Sequence, residues 1–306
     1  MIKIKSIKYI LFLFLVVGVT WYFAIKDYNY RVTFKTHQAP GIVYDHLIKW
    51  NNGERADNKV VTVLKQSPFF EIEQELIVGD SIFKIQWTLE KDNDSTTLVI
   101  AKIKDEKHSF IQNLQVPFYK NAFVKRSIST VKKFGEGLLQ NAKNYKVSEV
   151  TKDKIPSQYC AYISLESKPE DKASTMVKNI YVVMNYIREN NIKLTGNPFL
   201  EITKWDVVKD SIKFNFCFPI AERSQYPATN TVKFKKFKEQ NALKTVFNGN
   251  YKISDRAWYV IMDHAKTKEI EIDNLPIEVF LNDPHDGGND LEWQAEIYMP
   301  IKNKAH

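Results

Sequence analysis

Cysteine, glycine and proline are all scarce in this chain of 306 residues, which has 2, 10 and 11 of them. Two cysteines exclude a disulfide framework and a four-cysteine zinc site. The low glycine and proline content excludes collagen-like and low-complexity material. With 44% apolar residues the chain is not wholly disordered either, and its length indicates about two domains.

The signatures of several enzyme classes are missing as well. The sequence has no glycine-rich phosphate loop, no serine-nucleophile elbow and no histidine–cysteine pairing. Its six histidines lack the spacing of metal ligands, and only the polar loop at 283–286, around His285, is weakly metal-like. The sequence therefore predicts no metal and no cofactor, and it favours a binding protein over an enzyme.

The net charge of +8 comes almost entirely from the first 150 residues. Lys3, Lys5 and Lys8 stand at the start of an apolar run in which residues 7–25 carry only one charge. This pattern predicts a single membrane anchor, with residues 1–27 forming the anchor and its cytoplasmic lysines. The remaining chain would then lie outside the cytoplasm.

A cleaved signal peptide has the same order of charge and apolar residues, and it would give a secreted protein instead. The apolar run ends in Trp21, Tyr22 and Phe23, where a peptidase prefers small residues. Bulky residues at these positions favour the uncleaved anchor.

Residues 28–145 are predicted to form one α+β domain. A strand over 30–37 precedes a helix entered at Ala39-Pro40, several antiparallel strands and a closing helical segment over 117–142. The pattern resembles the SRPBCC (START-like, polyketide-cyclase-like) family through His37-Gln38-Ala39-Pro40, Val43-Tyr44, Leu47, Trp50 and the closing helix. The resemblance implies a helix-grip fold, a curved sheet around a long helix, with an apolar-ligand cavity. Alternatively, these aromatic residues only fill a core.

One face of the closing helix is basic. It carries Lys120, Lys125, Arg126, Lys132 and Lys133. A solvated face explains this pattern, and an anionic lipid headgroup or an acidic partner are the functional alternatives. Nucleic acid is not expected, because no stacking aromatic residues are interleaved with the charges.

After a linker over 146–156, the domain at 157–302 contains an internal repeat. The stretches Phe214–Ile220 and Ala295–Ile301 end alike, and each repeat is predicted as strand, helix, strand, strand. The two copies cover 157–220 and 234–302, which indicates a duplicated domain. Cys160 and Cys217 fall on strands of the first copy, where they would either pair in an oxidising compartment or stay separate as small buried residues.

The second half resembles the GyrI-like small-molecule-binding domain, which is also the effector-binding domain of AraC-type regulators. The resemblance is carried by the turn Phe247-Asn-Gly-Asn-Tyr251, by 275–284 and by the last strand over 293–301. It implies a groove for small molecules, lined by the acid of the last strand, which is Glu296. Members bind apolar cations, and some are reported to hydrolyse strained rings with a groove acid and a tyrosine.

Strand alternation gives a second argument about the site. Glu296 and Tyr298 share one face of their strand, and Glu278 and Phe280 share a face of the preceding one. We expect both pairs on the same side of the sheet, where acids beside aromatic rings suit organic cations. Further wall candidates are Tyr251 and Trp258. The alternative is that these acids are ordinary solvated residues and these aromatics belong to the core.

The sequence thus predicts an α+β protein with an N-terminal membrane helix, an SRPBCC-like domain and a duplicated GyrI-like domain. Its function would be to bind an amphipathic or cationic small molecule, with a second, apolar ligand site in the first domain. The alternative function is a hydrolase that uses Glu296 and Tyr298. The expected partners are this ligand and the membrane, through residues 7–25, and no protein partner is predicted.

Overall fold

The computed structural model describes residues 4–53, 60–78, 80–93, 96–227, 229–284 and 287–302. The chain divides into two units, residues 1–138 and 139–306. Each unit has its own antiparallel sheet. Lys3 and the loop residue His285 lie outside the described residues.

Within its described residues, the first unit has a five-stranded sheet and four α-helices. Its strands run in the order β1-β5-β4-β3-β2, and the strand–helix–strands–helix sequence agrees with the predicted α+β order. The elements are α1 (Ile4–Thr20), β1 (Tyr30–Thr36), α2 (Pro40–Gly53), β2 (Val60–Ser67), β3 (Glu71–Val78), β4 (Ser81–Asn93), β5 (Thr96–Asp105), α3 (Ser109–Gln115) and α4 (Ala122–Asn141).

Aromatic side chains fill the space between this sheet and α4. Phe134 of α4 is fully buried, and its ring centre lies 5.1 Å from that of Trp87 and 5.6 Å from that of Trp50. Nearby, the space between Phe83 and Ser127 measures only about 10 Å³, whereas small-molecule sites measure roughly 300–1,000 Å³. The space at this position is too small for a ligand, and the rings of Trp87 and Phe134 are packed as core.

The predicted membrane anchor is wrong. No helix within the described residues is long and apolar enough to cross a membrane. Helix α1 has 17 residues, which corresponds to roughly 25 Å at 1.5 Å per residue, against about 30 Å of bilayer hydrocarbon. The apolar run then continues as a π-helical turn over Trp21–Ile25, where the Tyr22 hydroxyl donates a hydrogen bond to the Asn113 carbonyl at 2.9 Å. The predicted membrane topology, in which the chain after residue 27 lies outside the cytoplasm, depended on this anchor and is no longer supported.

The second unit has eleven described strands and helices. They are β6 (Tyr145–Val147), β7 (Thr151–Ile155), β8 (Gln158–Ser167), α5 (Lys172–Glu189), β9 (Phe199–Asp206), β10 (Ser211–Pro219), β11 (Lys233–Phe237), β12 (Gln240–Gly249), α6 (Asp255–Thr267), β13 (Ile277–Phe280) and β14 (Gln294–Pro300). The segment expected as a linker contributes β7, which pairs with β12.

The expected repeat is visible in the order of these elements. The two copies are β8-α5-β9-β10 and β12-α6-β13-β14, and their strands belong to one sheet. The strand order in this sheet is β11-β8-β10-β9-β13-β14-β12-β6. They meet where β9 pairs with β13, with Val279 opposite Phe199. Both helices pack on one face of the sheet, over a core that includes Met176 and Trp258, and a second apolar cluster lies on the other face. Apolar residues are therefore packed on both faces of this sheet.

Candidate functional site

A cavity of about 580 Å³ opens between α5 and the end of β13, within the second unit. Tyr251, Phe280 and Trp293 form an aromatic wall on one side, and Val177 and Ile180 of α5 form part of the opposite wall. The volume lies inside the range of roughly 300–1,000 Å³ that is usual for small-molecule sites. The arrangement can therefore accommodate an apolar ring system.

Tyr251 is held in place by the turn that follows β12. Gly249 precedes it with a φ of +152°, and a Cβ there would lie only 2.9 Å from the Phe247 ring, so a glycine is required. The Tyr251 hydroxyl donates to the carbonyl of Gln294 at 2.8 Å, and its ring centre is 4.9 Å from that of Phe280. Burial raises the pKa of Tyr251 to about 12, so this phenol stays protonated near neutral pH.

Trp293 is fixed by its own loop. Its indole nitrogen donates to the Gly287 carbonyl at 3.1 Å, and its ring centre lies 6.0 Å from that of Tyr251. Because the polar atom of the indole is already used, the ring offers the cavity mainly an apolar surface.

Glu278 lies behind this aromatic wall and does not line the cavity. Its carboxylate is fully buried and accepts hydrogen bonds from the Trp258 indole nitrogen at 2.6 Å and the Ser254 hydroxyl at 2.8 Å. Burial raises the pKa of Glu278, while the charge of Lys172 and the two donors act in the opposite direction. These contacts tie β13 to the start of α6.

Other buried charges accompany Glu278. The Lys172 ammonium lies 3.9 Å from the nearer Asp255 oxygen and 5.3 Å from the centre of the Trp258 ring. Asp255 in turn pairs with Arg256 at 3.0 Å. We refer to Lys172, Asp255, Arg256 and Glu278 as the buried charge cluster, and it contains as many bases as acids.

Glu278 and Glu296 lie on opposite faces of the sheet, so the expectation that they share a side is wrong. Glu278 is paired with Ile297, and Val279 with Glu296. Residues paired across two strands point to the same side, so Glu278 faces the helices together with Phe280. Glu296 and Tyr298 face the other way. Alternation within each strand is readable from sequence, but the register between the strands is not.

Glu296 has its own partners on that opposite face. The Lys244 ammonium lies 2.9 Å from one carboxylate oxygen, and the Tyr298 hydroxyl donates to the other at 2.7 Å. Burial, followed by the hydrogen bond with Glu296, raises the pKa of Tyr298 to about 12. Burial lowers the pKa of Lys244, but hydrogen bonds to Glu296, Tyr298 and Asp153 outweigh it and raise that pKa overall. The charge of Glu296 is thus already matched.

Cys160 and Cys217 are free thiols, both buried. They belong to the apolar cluster of the face that carries Tyr298. Burial raises the pKa of the Cys217 thiol well above its usual value, so it is a poor nucleophile. The two thiols are not bonded to each other as a disulfide, but they lie close together, since a hydrogen bond with Cys160 also raises the pKa of Cys217.

Of the predicted site residues, Tyr251 and Phe280 line the cavity, Glu278 and Trp258 support it from behind, and Glu296 and Tyr298 are remote from its lining. The wall on α5 was missed by the sequence reasoning. Ala173, Val177 and Ile180 recur there at helical spacing, and Val177 is 53% exposed. Exposed apolar residues along one helix stripe were the available signal.

A family described as the GyrI-like small molecule binding domain matches residues 148–302. The match does not extend to the first unit, so an SRPBCC assignment for residues 28–145 is not shown. Among curated proteins, none matches this chain in sequence.

Several solved structures each resemble about half of this chain. The EcmrR C-terminal domain is 15% identical with a TM-score of 0.45, over 51% of this chain and 98% of that one. A hydrolase from Listeria innocua is 11% identical with a TM-score of 0.37, over 50% and 92%. SAV2435, bound to tetraphenylphosphonium, is 11% identical with a TM-score of 0.33, over 51% and 95%. Likeness at this level identifies neither a ligand nor an activity.

Proposed function

Because this chain belongs to the GyrI-like small-molecule-binding family, we propose that it binds an amphipathic small molecule in the cavity between α5 and β13. The observation that carries the proposal is the aromatic wall of Tyr251, Phe280 and Trp293 facing an apolar helix stripe across about 580 Å³. A ring of the ligand packs against this wall, where aromatic contacts add about 0.5–1.5 kcal/mol each beyond burial.

The positions of the two predicted acids give no direct support to a cationic ligand, although another acid, Asp283, lines the cavity. Glu296 is paired with Lys244 on the opposite face of the sheet, and Glu278 is enclosed by its own donors behind the wall. Neither carboxylate lines the cavity, so neither offers a direct partner to a cation bound there.

The predicted site residues fall into three groups in this proposal. Tyr251 and Phe280 contact the ligand. Glu278 and Trp258 hold β13 against α6, which keeps Phe280 in place. The hydrolase alternative, with Glu296 and Tyr298, is not favoured, because neither of these residues lines the cavity that would hold a substrate.

The test narrows the cavity from its exposed side. Val177 lines it and is 53% exposed, while Val208, at 59% exposed, lies in the turn after β9 and does not line it. Val177→Trp fills the space without disturbing the core, and Val208→Trp is the matched control. The ligand probe is prodan, a neutral amphipathic naphthalene whose fluorescence reports transfer into an apolar site.

We expect Val177→Trp to weaken prodan binding about tenfold or more, which is about 1.4 kcal/mol, and Val208→Trp to bind like the wild type. Thermal unfolding curves of the two variants show whether both remain folded. Equal binding by both variants would place the site elsewhere, and no binding by the wild type would contradict the proposed function.

A further inference from the structure

We propose that the outer edge of β8 binds an extended peptide segment of another protein as an added β-strand, with one apolar side chain of that segment in a second cavity beside the edge. This cavity and the one between α5 and β13 share no lining residue. The inference is therefore independent of the proposed function. It is carried by the open strand edge and by the cavity that lies against it.

The edge of β8 is open over its second half. The strand extends over Gln158–Ser167, but its outer neighbour β11 pairs with it only as far as Tyr162. No other described strand pairs with residues 163–167 from that side. Five residues at the border of this sheet are therefore available to a further strand.

The outward backbone groups at this edge belong to Ser164 and Glu166. Along an antiparallel strand, successive residues bond alternately to the neighbours on its two sides. The Ile220 amide donates to the Tyr159 carbonyl at 2.9 Å, which assigns the odd-numbered residues of β8 to the side of β10. The even-numbered residues face β11 and, beyond Tyr162, the open edge. The N–H and C=O groups of Ser164 and Glu166 thus lack a backbone partner among the described residues.

The cavity at the same edge measures about 330 Å³. Ile163 and Leu165 of β8 form apolar walls together with Val182 of α5, and Asn230 borders the cavity from the loop before β11. Its one charged lining residue in the described chain is Lys233. The volume lies at the lower end of the usual range of roughly 300–1,000 Å³ for small-molecule sites. It suits one large apolar side chain better than a whole drug-sized molecule.

The edge and the cavity together specify the conformation of the occupant. All strand pairs described in this sheet are antiparallel, so we expect the added strand to run antiparallel to β8. Its residues opposite Ser164 and Glu166 exchange backbone hydrogen bonds with them. The residue between lies opposite Leu165, and its side chain points to the same face. Because Leu165 packs against the apolar core on the helix face, an apolar side chain at that position matches the cavity walls.

The size of the edge favours a peptide over a second copy of this chain. Five strand residues span about 17 Å, whereas a stable interface between two proteins includes about 20–30 residues on each side. Strand addition by a short segment needs only main-chain hydrogen bonds and a pocket for an alternate side chain. Both are present at this edge.

The experiment uses the full chain and fluorescein-labelled peptides of the sequence Gly-Thr-Thr-Thr-X-Thr-Thr-Gly, in which X is leucine, phenylalanine or serine. Threonine favours the extended conformation, and X is the single position at which an apolar residue is introduced. Affinities are measured by fluorescence anisotropy. Size-exclusion chromatography of the protein alone reports whether a second copy occupies the edge.

Two variants address the edge and the cavity separately. Ser164→Pro removes an outward N–H at an edge position, where proline is tolerated. Its control is Ser164→Ala, which keeps the N–H but loses, like the proline variant, the hydroxyl bond to Asn215 at 2.8 Å. Asn230→Trp narrows the cavity from its exposed side, and its control is Gln225→Trp, an exposed residue of the same loop that does not line the cavity.

We expect the leucine and phenylalanine peptides to bind the wild type about tenfold or more tighter than the serine peptide, because only they bury an apolar side chain. Ser164→Pro should weaken binding of the leucine peptide roughly two- to tenfold relative to Ser164→Ala, through the lost hydrogen bond. Asn230→Trp should weaken it about tenfold relative to Gln225→Trp. Thermal unfolding shows which variants remain folded, and the Asn230→Trp comparison decides if Ser164→Pro does not fold.

Three results would overturn the inference. The first is that no apolar peptide binds the wild type, or that the serine peptide binds equally well. The second is that each folded variant binds like its control. The third is a dimer of the wild type that Ser164→Pro abolishes and Ser164→Ala does not, which would show that a second copy occupies the edge.

Discussion

Replacing the buried carboxyl of Glu278 by the amide of glutamine changes one acceptor oxygen into a donor while the shape stays the same. In the wild type both oxygens accept hydrogen bonds, from Trp258 at 2.6 Å and Ser254 at 2.8 Å. The amide can accept only one of them. Ser254 can still donate to the Tyr251 carbonyl at 3.0 Å, but the amide brings two buried N–H groups in place of one acceptor, and the contacts of the lost oxygen offer an acceptor for only one. A buried unsatisfied group costs about 1–3 kcal/mol, and we expect Glu278→Gln to lower the free energy of unfolding by that amount.

The assay is urea unfolding of the full chain, followed by circular dichroism. Glu296→Gln is the matched control, because it makes the same change on the neighbouring strand. Glu296 and Lys244 keep 27% and 20% side-chain exposure, so water can replace the lost contacts, and the cost should stay below about 1 kcal/mol. An equal loss of stability in the two variants would refute the reasoning.

A second variant isolates the cause. Ser254→Ala by itself removes the hydrogen bond between Ser254 and Glu278, so the double variant Glu278→Gln/Ser254→Ala should lose less stability than the sum of the two single changes. We expect a coupling of about 1 kcal/mol. Additive losses would show that the destabilisation by Glu278→Gln has another origin than these hydrogen bonds.

The same carboxyl predicts a pH dependence with a definite sign. Burial raises the pKa of folded Glu278 above its ordinary value of 4.5. Between these two pKa values the folded protein retains a proton that the unfolded chain has released. The contribution of Glu278 to stability is therefore complete below pH 4.5 and declines as pH rises from there. The advantage of the wild type over Glu278→Gln should shrink in that direction, and an advantage that grows would contradict the assigned direction.

Two further predictions concern other parts of the chain. Gly249→Ala should lower the free energy of unfolding by about 1–3 kcal/mol and weaken prodan binding, because a Cβ at φ +152° would lie 2.9 Å from the Phe247 ring and displace the turn that holds Tyr251. Unchanged prodan affinity would show that this turn does not determine the shape of the ligand site. Phe134→Ala should cost the first unit about 3–5 kcal/mol, since the ring is fully buried against Trp87, and should leave prodan binding intact. A stability loss below about 1 kcal/mol would contradict the description of this space as filled core.

Much of the local structure could be predicted from the sequence. The start of α2 at Pro40 and the alternation in β1 are visible within a few residues of chain, because capping and strand alternation depend on near neighbours. The duplication was visible in two similar strand ends, and it also indicated the family. The same local reasoning failed at residues 7–25, where the α-helix changes into a π-helical turn after Thr20 and the Tyr22 hydroxyl bonds to Asn113, far along the chain.

Only part of the candidate site could be predicted from the sequence. Tyr251 and Phe280 were chosen from motif and alternation, and both line the cavity. Val177 was not predicted, although the apolar stripe on its helix was a signal, and nothing in the segments around Lys178 and Lys252 points to a ligand. They border the cavity only because α5 of the first repeat lies opposite the turn and strand of the second.

The sequence by itself determined the order of elements, the repeat, the GyrI-like family and which residues alternate along each strand, because all of these are recorded in short stretches of chain. Only the tertiary structure decided which face each acid occupies. A one-residue change in the pairing of β13 with β14 would bring Glu278 to the side of Glu296. The observed register instead buries Glu278 beneath α6 and leaves Glu296 with Lys244 on the other side.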